Sequence, residues 1–219
     1  MSRPALVLAL VLGVIDTVLV LWAQPIFGNA WKQVMWEGGV LEDLTALQFI
    51  AGAIVFARCA FRRGISRAHR RWFALYALGM LVLAGEETNY GTGTLFLDLS
   101  DPNFASSYNP QANNLHNFVV LGFLPILVFG VGCLVLRRRF APITGRLGLP
   151  MRKDFLDAVL VTALFVVPML PAFGDERFWA VDEVYEWSSS LLLLCLGLSF
   201  RYGWVFAARD DEPTIEPTP

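Results

Sequence analysis

Residues 4–23 read PALVLALVLGVIDTVLVLWA, an apolar run broken by one charge, Asp16. As a helix rising about 1.5 Å per residue, the run is about 30 Å long, which matches the hydrocarbon thickness of a bilayer. Five further stretches are similarly apolar: Leu41–Phe61, Trp72–Glu87, His116–Leu136, Phe155–Phe173 and Val184–Phe206. The composition agrees: 56% of the 219 residues are hydrophobic and 16% charged, where a soluble domain carries about a quarter charged residues. The fold class expected is all-α: a polytopic membrane protein with six transmembrane helices over residues 1–206. Residues 207–219, polar, acidic and rich in proline, read as a disordered cytoplasmic tail.

The basic residues orient these spans. Arg58, Arg62, Arg63, Arg67, Arg70 and Arg71 lie at or just after span two, and Arg137, Arg138, Arg139, Arg146, Arg152 and Lys153 after span four. Arg3, Arg201 and Arg209 lie near the two ends of the chain. Only Lys32 and Arg177 fall on the other side. Arginine and lysine collect on the cytoplasmic side, so both termini are expected in the cytoplasm of an inner-membrane protein. Topology accounts for the arginines, and nucleic acid is not an expected partner. The first run is longer than a signal-peptide core and lacks a good cleavage site, so it is expected to remain as a span. Cys59, Cys133 and Cys195 show no C-x-x-C spacing and read as small packing residues.

Two outer segments stand out. Asn29 to Gly39 places Trp31, Val34 and Met35 on one helical face and ends in glycines, as expected of a short helix on the membrane surface that covers what lies beneath. Residues 88–115 form a long outer loop whose Tyr90, Phe96, Phe104 and Tyr108 argue for order.

Four acids fall at one depth on four spans. Asp16, Glu42, Glu86 and Glu186 lie 13, 16, 14 and 15 residues from the markers Arg3, Arg58, Trp72 and Arg201. That is roughly 20–24 Å from the basic edge, in the outer third of the bilayer. A carboxylate in the middle of a span costs on the order of 3 kcal/mol, so four at one level point to a shared polar site. Around that level the topology gathers Asp43, Glu87, Asn89, Tyr90, Asn114, His116, Asn117, Asp182, Glu183, Ser189 and Ser190. Glu42-Asp43 and Asp182-Glu183 also suit helix N-termini, where the macrodipole favours acids. Glu86 and Glu87 end a helix, where it opposes them.

So many carboxylates need shared protons or a cation, because few basic residues lie on that side. Glu42, Glu86, Glu87, His116 and Glu186 form a plausible ligand set for a divalent metal such as Zn, Mn, Fe, Mg or Ca. Glu86, Glu87, His116 and Glu186 are the candidate catalytic residues. Gly85-Glu86-Glu87-Thr88-Asn89-Tyr90-Gly91, followed by Asn114-Leu115-His116-Asn117, resembles a pattern in uncharacterised bacterial multi-pass membrane proteins. The resemblance covers about residues 85–117 and implies a shared site without naming a reaction. The common form carries Ser-Trp-Gly-Gln where this chain has Asn89-Tyr90-Gly91-Thr92.

Three functions are consistent with this sequence. The first is a metal-dependent hydrolase or transferase acting on a lipid or lipid-linked substrate at the outer leaflet. The second is a proton- or cation-coupled transporter or channel component. The third is a non-catalytic subunit that binds a partner through its outer loops. No P-loop, dinucleotide-binding glycine motif or nucleophile elbow is present.

Overall fold

The computed structural model describes residues 1–35, 39–88, 123–169 and 178–206. Among these residues all regular structure is helical. Helix α1 spans Arg3–Phe27; it passes through a 3-10 turn, Gly28–Ala30, into α2, Trp31–Met35. Helices α3, Val40–Ala60, and α4, Arg67–Glu87, form a hairpin. Helix α5 covers Phe123–Arg138 and α6 covers Phe140–Leu147. Helices α7, Lys153–Leu164, and α8, Val166–Met169, follow, and then α9, Phe178–Tyr202. Two of these segments, Arg3–Met35 and α3, are long and apolar enough to cross a membrane.

Several boundaries differ from the sequence expectation. The helix expected as the third span begins at Arg67 because Ser66 caps it, its hydroxyl accepting from the His69 amide at 3.1 Å. The fifth is interrupted at Phe165, which separates α7 from α8. The sixth starts earlier, at Phe178, and ends at Tyr202. In the basic loop, α6 is a helix that the sequence reading missed, closed by Gly148 in the left-handed region at φ +57°. The start of the fourth span, most of the long outer loop and the tail from residue 207 lie outside the described residues.

Helix α3 packs between α4 and α9, while α1 packs on α7 and α9, and α5 on α7. Small residues set these approaches. On α1, Ala5, Ala9 and Gly13 form one stripe against α7, close enough for the Thr162 hydroxyl to reach the Ala9 carbonyl at 3.5 Å. The outward faces are apolar. Val7, Val11, Val14 and Trp22 are exposed on α1, and Leu75, Leu78, Leu81 and Val82 on α4. A soluble surface would carry charge at such positions.

At the basic end the chain is tied together. The Ser2 amide donates to Asp154 Oδ2 at 2.8 Å, and the Ser2 hydroxyl donates to the Val205 carbonyl at 3.1 Å. Arg137 pairs with Asp157. Trp72 Nε1 donates to the Leu147 carbonyl at 2.9 Å, which docks α6 on α4. Val205 takes a left-handed φ of +66°, costly for a β-branched residue. It is held by the Ser2 bond and by Phe206, which packs edge-on against Phe155 at 5.7 Å. Burial pushes the Asp154 carboxyl upward, but hydrogen bonds from Ser2 and the α-ammonium of Met1 outweigh it and hold the group below its ordinary 3.8. A depressed carboxyl stabilises the fold above its unfolded pKa, and that contribution disappears as pH falls through the lower folded value. The melting midpoints of wild type and Asp154→Asn should therefore differ by a constant amount at neutral pH and converge below pH 3.8. A difference unchanged by acid would rule out this pairing as the source.

Candidate functional site

Two apolar clusters stack along the bundle. The one nearer the basic end contains Ala9 and Leu12 of α1, Phe49 and Phe56 of α3, Met80 and Ala84 of α4, and Leu192 and Leu196 of α9. The other contains Val20 and Ala23 of α1, Trp31 and Met35 of α2, Leu41 of α3, Met169 of α8, and Val181 and Val184 of α9. Buried polar residues lie between them along three helices: Asp16 on α1, Glu42 and Thr45 on α3, and Ser188 and Ser190 on α9, while Glu86 is buried at the C-terminal end of α4. The bundle therefore carries a polar layer between two apolar plugs.

The helix registers fix the level of each member. Helices α3 and α4 are antiparallel, with Gly52 against Met80 and Phe56 against Tyr76 at 5.1 Å. Six residues outward from Gly52 and Met80, this register sets Ala46 opposite Glu86. Helices α3 and α9 run parallel, with Gly52 beside Leu194 and the Ser190 hydroxyl donating to Gln48 Oε1. The same register sets Ala46 beside Ser188. The Ser188 hydroxyl lies 2.7 and 2.8 Å from the two carboxylate oxygens of Asp16 and donates to one of them at a time. Asp16, Glu86 and Ser188 thus share one level. Glu42 is one turn away, about 6 Å toward the outer end, and Glu186 about 3 Å away.

Burial grades the acids. Asp16 is 0% exposed, Glu42 5% and Glu86 8%. Asp43, Glu87, Glu183, Glu186 and Ser189 are partly exposed. Glu42, Asp43, Glu86, Glu87, Glu183 and Glu186 each engage a partner. Asp182 lies on α9. His116, Asn89, Tyr90, Asn114 and Asn117 lie outside the described residues. Among the described residues no three His, Cys, Asp or Glu side chains come together as ligands for one metal ion, so Glu42, Glu86, Glu87 and Glu186 do not form such a group by themselves.

The short helix also differs from expectation. Trp31 and Met35 are buried in the outer apolar cluster, so α2 turns its apolar face into the bundle and forms part of the outer plug. The buried cysteines Cys59 and Cys133 are free thiols.

Two members of the layer were missed from sequence. The sequence pattern points to Ser189 and Ser190 rather than Ser188 and does not single out Gln48. A helix beginning at Phe178 gives the signal. Val181, Val184, Tyr185, Ser188, Leu192 and Leu196 recur at helical spacing and are all buried, which sets Ser188 on the inward face. No family model, curated protein or solved structure matches the chain.

Proposed function

We propose that this chain is a polytopic inner-membrane protein, both ends on the cytoplasmic side, whose polar layer handles protons or a small cation in an occluded site. The observation that carries this reading is the layer itself: Asp16 buried between two apolar plugs, with Glu86 buried at the same level at the end of α4. Acidic side chains inside a membrane bundle are costly and typically serve ion or proton pathways. The apolar outward faces of α1 and α4 support lipid around the bundle. The outer plug, with Trp31 and Met35, would have to move for the layer to meet outside water. The inner plug would have to open toward the arginine-rich end.

The test is proton or cation flux into proteoliposomes, comparing wild type with Asp16→Asn and Glu86→Gln. Flux lost in both variants, with folding retained, is the expected result. Wild type without flux would overturn the reading.

One observation favours a second reading. Glu86 and Glu87 end α4 at the start of the outer segment that carries His116. A divalent metal held there by these residues with Glu42 and Glu186 would serve a hydrolase or transferase acting on a lipid or lipid-linked substrate. About one equivalent of Zn, Mn or Fe in purified protein, lost in Glu86→Gln/His116→Ala, is the result that reading requires.

A further inference from the structure

Helices α3 and α9 end side by side at the basic pole. Gly197 lies against Val55 and Phe56, so continuing the parallel register sets Arg201 level with Cys59. The Arg62 amide donates to the Cys59 carbonyl at 3.2 Å, which sets Arg62 at the same end. Arg58, four residues before Arg62, is exposed. Among the described residues no carboxylate pairs with Arg58, Arg62 or Arg201. The helix macrodipole accounts for one cation in each last turn, Arg58 on α3 and Arg201 on α9, but not for Arg62, which lies beyond the end of its helix.

The ends of the same two helices expose large aromatic rings. Phe61 is 86% exposed, Trp204 59% and Tyr202 50%. Tyr202 and Trp204 stack at 5.1 Å, and the Arg201 guanidinium lies over the Tyr202 ring at 5.1 Å. Exposed rings interleaved with guanidiniums suit one environment, the headgroup zone of a membrane. There the rings lie among acyl carbonyls and the cations meet phosphate.

We infer that the α3–α9 end is a binding site for the headgroup of an anionic phospholipid, with Arg58, Arg62 and Arg201 holding the phosphate and Phe61, Tyr202 and Trp204 seated in the interface. Three unneutralised guanidiniums favour a lipid of net negative charge over a zwitterionic one, whose own ammonium competes for the same phosphate. The inference rests on the membrane reading above.

The experiment measures the melting midpoint of detergent-purified protein with added phosphatidylglycerol or phosphatidylcholine of the same acyl chains. Phosphatidylglycerol should raise the midpoint by several degrees more than phosphatidylcholine. That preference should disappear in Arg58→Gln/Arg62→Gln/Arg201→Gln. If the triple variant does not fold, wild type in high salt serves instead, and the preference should collapse there by screening. Equal shifts with the two lipids would overturn the site while leaving the membrane reading intact. A response to neither lipid would count against both. The site also falls if soluble glycerol phosphate reproduces the shift, or if the preference survives the triple substitution.

Discussion

Gly52→Leu is expected to leave little folded protein in detergent. A Cβ built on Gly52 meets Met80 Cε at 2.2 Å and Sδ at 2.6 Å, with the Leu194 Cα behind it at 3.8 Å. Helix α3 touches both neighbours at this point, so a branched side chain must push α4 or α9 away. Overpacking of this kind costs on the order of 3 kcal/mol, and here it would also break the register that aligns Glu86 with Ser188. Gly52→Ala should be far milder. The Met80 methyl is the end of a flexible chain and can turn aside, while alanine gains up to about 1 kcal/mol of helix propensity over glycine. Melting midpoints of the two variants in one detergent check this. A Gly52→Leu protein as stable as wild type would mean that α3, α4 and α9 do not meet as described.

Ser188→Ala should destabilise the protein by about 1–3 kcal/mol, because it removes the hydroxyl that donates to a fully buried carboxyl. Asp16→Asn should cost much less, since the amide keeps an oxygen to accept from Ser188. A double-mutant cycle with Asp16→Ala and Ser188→Ala should return a coupling of about 0.5–2 kcal/mol, in the range of interhelical hydrogen bonds inside membranes. Zero coupling would show that the contact does not hold α1 to α9. Under the proposed function, the Asn variant should fold like wild type and still lose flux, because it could no longer carry a proton at that level.

The parts of this protein legible in the sequence are those governed by local rules. Apolar runs of about 20 residues sufficed to set the all-helical class. The start at Arg67 escaped although its Ser66 cap is local, while other boundaries depended on packing. The break at Phe165 falls where its ring lies against Gly13 of another helix, a contact no local pattern reveals. The apolar face of α2 was read as lying on the membrane, yet Trp31 and Met35 are buried beside Val20, Leu41 and Val181. A short amphipathic segment carries the same pattern whether lipid or protein covers it.

For the site, the sequence by itself determined position along each helix. Rise per residue is a constant of the α-helix, so counting from Arg3, Trp72 and Arg201 suffices to group Asp16, Glu86 and Glu186. Direction around each axis and the order of neighbouring helices are different quantities. They depend on which small residues admit which neighbour: Gly13 for Phe165, Gly52 for Met80 and Gly197 for Val55. Only the tertiary structure decided that Ser188 rather than Ser189 meets Asp16, that Gln48 meets Ser190, and that apolar plugs close the layer on both sides. Those contacts join residues up to 172 positions apart, and side-chain packing, unlike helix rise, has no expression in local sequence.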